Sequence, residues 1–235
     1  MRVLAGTSGY SYKEWKGSFY PEDLPAEEML RYYATRLPAV EINNTFYRMP
    51  KAEVLARWAE QVPDGFRFAL KASQQITHRK RLKDAADSVA YFFQVAATLG
   101  DRMGPVLFQL PPNFKKDLPR LTDFLAALPP ASRCAFEFRH ESWFDDSLFE
   151  ALRARGCALC VAEDEELATP FAATADWGYL RLRRQDYGEE DLRNRAASML
   201  AQPWSEAYVF FKHEEGGTGP RLARELAKIV GPGGP

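Results

Sequence analysis

The chain predicts an α/β fold, a parallel (β/α)8 barrel of the TIM type, and three observations carry that reading. Eight short apolar segments recur along its 235 residues: RVLAG, AVEIN, FRFALK, PVLFQL, RCAFEFRH, CALCVAED, YLRLR and AYVFFKH. Amphipathic helical patterns separate most of them, which argues for parallel strands joined by crossovers. Almost every segment also ends in a charged or amide residue, and in a closed barrel all strand C-termini share one rim.

The first strand, near Arg2 to Gly6, runs into GTSGYSYKEWKGSFYP, an aromatic and glycine-rich stretch too long for a simple connector. A helix pattern in PAEEMLRYYATRL follows, then the strand in AVEINNTFYRMP, then a helix in KAEVLARWAEQV that stops before Pro63. After FRFALKA, the segment SQQITHRKRL reads as a loop. LKDAADSVAYFFQVAATLG reads as a helix closed by Gly100. The strand PVLFQL meets Pro111 and Pro112, neither of which can continue a central ladder. DLPRLTDFLAAL and DDSLFEALRARG each begin with an Asp able to cap the first N–H groups, and Gly156 ends the second. EELATPFAATADWG is short and carries Pro170, which predicts a truncated or missing helix between strands six and seven. EEDLRNRAASMLA and GPRLARELAKIV supply the last helices. The organisation is one barrel domain over 1–230 and a disordered tail over 231–235.

Charge narrows the partner classes. Lys and Arg total 31 against 32 acidic residues, so a net charge of −1 gives no global attraction to nucleic acid or an anionic membrane. No apolar stretch approaches the ~18 residues of a membrane span, and MRVLAG lacks the pattern of a signal peptide. With only three cysteines, a cytoplasmic, reducing compartment is expected. Cys157 and Cys160 form a CxxC, but within a strand they face opposite sides about 10 Å apart, too far for a disulfide. They read as buried structural thiols.

Strand parity selects the residues that converge. In FRFALK, Phe66, Phe68 and Leu70 share the face that meets the helices, which sends Lys71 to the barrel mouth. By the same rule Phe136 and Phe138 face outward, while Glu137 and Arg139 face inward. Glu41, Asn43, Gln109, Arg181, Arg183 and Lys212 join the interior or rim, and strand six offers either Glu163 or Asp164. Histidines number three, His78, His140 and His213, and all follow a strand's C-terminal end, where proton transfer or metal binding is the functional reading and surface hydrogen bonding the ordinary one. Tyr10, Tyr12, Trp15, Phe19 and Tyr20 either stack on a sugar or base or pack their own loop. GGTG at Gly216–Gly219, just before the last helix, occupies the phosphate-binding position of many barrels or makes a plain turn.

Six motifs then show a family likeness: GTSGYSYKEWKGSFYP, VEINNTFYRMP, ALKASQQITH, LFQLPPNF, EFRHESWF and FFKHEEGGTGP. In this order and spacing they resemble the YecE-like family, a TIM-barrel domain of unknown function, number 72. The resemblance covers essentially the whole chain and implies a (β/α)8 barrel, without a settled reaction or cofactor. Lys212-His213 departs from it, since many members carry an Asn pair there.

Two functions follow from the residues. The first is an enzyme, hydrolase-type, acting on a small anionic or phosphate-bearing substrate. Lys71, Arg139, Arg181, Arg183 and Lys212 would clamp the anion, with Tyr10, Glu41, Asn43, His78 and Gln109 lining the site. Glu137 or Asp164 would be the base, and His140 or His213 the acid. No cofactor or metal is required. A metal-dependent variant through Glu41, Glu137, Asp164 and His213 ranks lower, because the neighbouring cations repel a divalent ion. The second is a non-catalytic module that binds a nucleic-acid strand or metabolite, using the aromatic rim and a basic track from His78 to Lys83. Alternatively, Glu41 and Glu137 with Lys71, Arg139 and Arg181 form a self-satisfied ion network that only fills the barrel.

Overall fold

Residues 1–163, 167 and 169–231 are described by the computed structural model. The strands are β1 (Arg2–Ser8), β2 (Ala39–Ile42), β3 (Arg67–Lys71), β4 (Met103–Gln109), β5 (Cys134–Glu137), β6 (Ala158–Glu163), β7 (Trp177–Leu182) and β8 (Glu206–Phe211). They close in chain order into a barrel, and every neighbouring pair is parallel. Closure is made by β1 and β8, in register from Arg2 opposite Glu206 to Thr7 opposite Phe211. Gly6 is required where β1 meets β2. A Cβ there would stand 2.0 Å from the carbonyl oxygen of Ala39.

Alternation divides the core into two layers. Leu4, Ala39, Ala69, Leu107, Ala135, Cys160, Tyr179 and Phe210 fill the barrel, and Phe68, Phe108, Phe136, Leu180, Val209 and Phe211 face the helices. Each buried Phe stabilises the outer layer by roughly 2–3 kcal/mol. Small residues on the inside of β2, β3 and β5 leave room for the Tyr and Phe rings of β7 and β8. Cys157 and Cys160 are free, and they lie in the outer and inner layers respectively, as the strand parity requires.

The helices are α1 (Met29–Ala34), α2 (Asn44–Tyr47), α3 (Ala52–Glu60), α4 (Ala86–Ala96), α5 (Leu118–Ala126), α6 (Asp146–Arg155), α7 (Glu189–Leu200) and α8 (Thr218–Val230). Asp117 and Asp145 accept from Arg120 N and Leu148 N, the predicted N-caps of α5 and α6. Gly156 takes the left-handed conformation that ends α6. Between β6 and β7 no helix occurs among the described residues. Of the predicted tail only Gly231 is described; the rest lies outside the described residues.

Three local expectations are corrected. SQQITHRKRL is not all loop: Gln75–Arg79 forms one π-helical turn, followed by left-handed backbone at Arg81, Leu82 and Asp84. The fourth helix does not run to Gly100 as an α-helix; it ends at Ala96 and continues as a 3-10 segment, Ala97–Arg102, kinked at Gly100. The fourth strand begins before Pro105, at Met103. Its register against β3 shifts between Phe68 and Leu70, an irregularity that accommodates a residue with no N–H to donate.

Candidate functional site

At the C-terminal ends of β2, β5 and β7, parity places Glu41, Glu137 and Arg181 inside the barrel, and all three are buried. Arg181 bridges the carboxylates. Its Nε and Nη2 donate to Glu41 Oε1 at 3.2 and 3.0 Å, and its Nη1 donates to Glu137 Oε2 at 2.6 Å. Ser8 Oγ and Tyr179 Oη complete Glu41, donating at 2.7 and 2.6 Å. Asn43 Nδ2 adds a longer contact of 3.4 Å. Glu137 Oε1 accepts from Gln109 Nε2 at 2.9 Å and from Arg183 Nη2 at 3.3 Å, with Arg139 Nε at 3.6 Å. A buried ion group needs this degree of satisfaction, because desolvation otherwise exceeds the Coulomb gain.

The electrostatics follow. Burial pushes the Glu137 carboxyl up, but Arg181 and Arg183 outweigh it and bring it down to about 2. Burial likewise opposes ionisation of Glu41, and Arg181 with the hydrogen bonds of Tyr179 and Ser8 holds it below the usual range. Both carboxylates are therefore ionised at neutral pH and poor proton acceptors. Glu137, a candidate general base from the sequence, is shared among Arg181, Arg183 and Arg139.

Lys71 behaves differently. Thr45 Oγ1 donates to the Lys71 carbonyl at 2.7 Å, which ties α2 across the end of β3. The ring of Phe46 then lies under the ammonium, with Nζ 4.1 Å from its centroid. Among the described residues Lys71 makes no ion pair and no side-chain hydrogen bond. Burial, and next the charge of Arg181, lower its pKa to about 8, against the opposing pull of Glu41 and Glu137. His78 stands edge to face with Phe46, 4.9 Å between ring centroids, with Nδ1 2.9 Å from Thr77 Oγ1. Burial first, then Lys71 and Arg139, push it below its ordinary value, so its imidazole is neutral at pH 7.

Other predicted residues go elsewhere. His213 lies toward the helix-facing side of the β8 end, near the rings of Tyr187 and Phe211, with Nε2 held 2.6 Å from the Arg184 carbonyl, and it lines a rim cavity with Lys212 and Arg183. The odd-numbered residues of β8 face outward, and His213 continues that set. His140 caps a 3-10 turn, its Nδ1 accepting from Ser142 N at 3.1 Å, so the ring serves its own loop. Glu163 faces outward too, bonded to Tyr187 and Arg195 of the helical layer. Asp164 lies outside the described residues. Lys212 is exposed on the rim. Tyr10 and Asn43 line a neighbouring cleft with Tyr12 and Trp58, while Tyr12, Trp15, Phe19 and Tyr20 pack on one another. On the far flank, Glu137, Arg139, Arg183 and Thr169 line a small cavity of about 120 Å³.

Gly216 and Gly217 turn the chain into α8 with left-handed backbone, beside Ser18 rather than over Lys71. In the basic track, Lys80 and Arg81 are tethered locally to Asp84 O and Asn113 Oδ1. No group of three His, Cys, Asp or Glu side chains suited to a metal ion occurs among the described residues.

Sequence reasoning missed Ser8, Tyr179 and Phe46. Parity was a sufficient signal for Tyr179, which stands two residues before Arg181 on the same face. Nothing local marks Phe46, because its role depends on how α2 crosses β3.

Fold and site together define a (β/α)8 barrel with a charged C-terminal mouth. The family model "Protein of unknown function DUF72" matches residues 4–234, and the chain belongs to that family. It is 37% identical to the UPF0759 protein YecE of Escherichia coli (strain K12) over 133 residues, 54% of this chain and 49% of that relative. With YunF of Bacillus subtilis (strain 168) the identity is 28% over 177 residues, 70% of this chain and 62% of that one. The aligned region thus spans about half of YecE. The crystal structure of a DUF72 family protein from Thermotoga maritima MSB8 superposes with a TM-score of 0.83 at 27% identity, covering 98% of this chain and 99% of the other.

Proposed function

We propose that the barrel mouth binds a small anionic, phosphate-bearing substrate and that the protein is an enzyme acting on it there. One observation carries the reading: Arg181 bridges the two buried carboxylates Glu41 and Glu137, while Lys71 beside them has no ion-pair partner among the described residues and Lys212 lines a rim cavity with Arg183. A phosphate or carboxylate of a substrate supplies the missing counter-charge. The position at the strand C-termini, where barrel enzymes build their sites, supports a reaction rather than storage of charge. For hydrolysis, the chemistry expected from the sequence, His78 or the neutral form of Lys71 is the group able to accept a proton near pH 7, in place of Glu137 and His213.

Calorimetric titration of inorganic phosphate into the protein at low salt tests the reading. Lys71→Gln and Lys212→Gln are each expected to weaken binding by about tenfold, the scale of one charge-assisted contact. Unchanged affinity in both variants would falsify the anion site. Binding seen only after a divalent metal is added would replace it with the metal-dependent alternative.

A further inference from the structure

We propose that Lys71 is a nucleophilic amine, and that the substrate carries an aldehyde or ketone which condenses with Nζ to form an imine. The substrate class rests on the anionic reading above; the role of Lys71 rests on its own surroundings. Four features of those surroundings distinguish it from an ordinary rim lysine. Its Nζ lies against the face of Phe46, an apolar floor that cannot hydrogen-bond the ammonium. Its backbone is pinned by Thr45, so the side chain emerges at a fixed place on the end of β3. No carboxylate among the described residues pairs with it, because Arg181 has taken Glu41 and Glu137. Arg181 and Lys212 add like charge from β7 and from the end of β8, which favours the neutral amine. Partial desolvation beside other cations is the known physical route to a reactive lysine. Lys212, exposed at the end of β8, is the contact for the anionic group.

The chemistry balances without a further reagent. The nitrogen lone pair forms the C–N bond as the carbonyl π pair moves to oxygen, giving a carbinolamine after proton transfer from nitrogen to oxygen. Loss of that oxygen as water leaves the imine, so amine plus carbonyl gives imine plus water. His78 shares the Phe46 floor, and its neutral imidazole can relay the proton between nitrogen and the departing oxygen. An iminium then draws electrons from a neighbouring bond of the substrate, which is the reason to place the amine inside a barrel rather than on its surface.

Pyridoxal 5′-phosphate is the probe, an aldehyde bearing a phosphate, with pyridoxal as its phosphate-free partner. Each is incubated with the full chain, the imine is fixed with borohydride, and the modified peptide is located by mass spectrometry. The label from pyridoxal 5′-phosphate is expected on Lys71 ahead of the exposed Lys13 and Lys83, and to vanish from that peptide in Lys71→Arg, which keeps charge and fold. Inorganic phosphate is expected to compete, and Lys212→Gln to reduce labelling by pyridoxal 5′-phosphate by about tenfold while leaving pyridoxal unaffected. Label spread over the exposed lysines, equal in wild type and Lys71→Arg, overturns the proposal even where calorimetry still finds phosphate bound. Equal labelling of Lys71 by both aldehydes, with no competition by phosphate, instead keeps the amine and removes the anion site.

Discussion

The two ends of the barrel each share a carboxylate among cations, yet they solve different problems. At the N-terminal end, Glu206 pairs with Arg2 at 3.4 Å and Arg133 at 2.5 Å, and the arginine side chains remain 51% and 43% exposed. At the C-terminal end, Glu137 pairs with Arg181, Arg183 and Arg139 while its own side chain is 0% exposed. Water shares the load at the bottom, so its pairs contribute about 1 kcal/mol or less. At the mouth the protein alone must satisfy the charges, and it does so for Glu41 and Glu137 but not for Lys71. At the bottom the charges are paired and wet, whereas at the mouth Lys71 has no ion-pair partner among the described residues.

Removing the bridging cation is the strongest test of this contrast. Arg181→Met leaves Glu41 and Glu137 buried without their shared partner and is expected to cost about 3–5 kcal/mol in urea unfolding. A loss no greater than that of Arg133→Ala at the bottom would erase the distinction between the two ends.

Acid provides a milder version of the same break. The folded pKa of Glu137 is depressed to about 2, so its contribution is present above the unfolded carboxyl value near 4.5 and is lost as pH falls through about 2. The urea midpoint of wild type is expected to fall across that window more steeply than that of Glu137→Gln. Parallel curves for the two proteins would show that the network does not hold Glu137 ionised.

Lys71 has the opposite sign. Its folded pKa of about 8 lies below the unfolded value of 10.5, so between these the unfolded chain binds more protons and rising pH stabilises the fold. Lys71→Met is expected to lose this alkaline gain relative to wild type, with a change of about 1 kcal/mol or less at pH 7. Identical alkaline profiles would mean that Lys71 is fully hydrated.

The smallest effect belongs to the bottom. Glu206→Gln is expected to shift stability by less than about 1 kcal/mol and to leave phosphate affinity unchanged, which a single urea titration and one calorimetric run can check. A larger loss would make the bottom a second buried-type network.

Repeating apolar segments, capping Asp residues and turn glycines determined the barrel by themselves, because strand alternation, helix termini and left-handed turns are local consequences of residue type. The same alternation sent Glu41, Gln109, Glu137 and Arg181 inward, since parity holds wherever a strand is regular. Beyond the strand ends, loop contacts decide as well. His140, three residues past β5, turns to Ser142 N, and His213, two past β8, keeps the outward parity of that strand and meets the Arg184 carbonyl. Which cation answers which carboxylate was also beyond the sequence. Arg181 reaches two strands at once across the barrel, pairing with both Glu41 and Glu137. The placing of Phe46 beneath Lys71 accompanies the packing of α2 on β3, which includes the hydrogen bond from Thr45 to the Lys71 carbonyl. Residue types fix what chemistry a rim can hold; only the packed barrel fixes which of its charges remain unanswered, because that depends on distances across the fold.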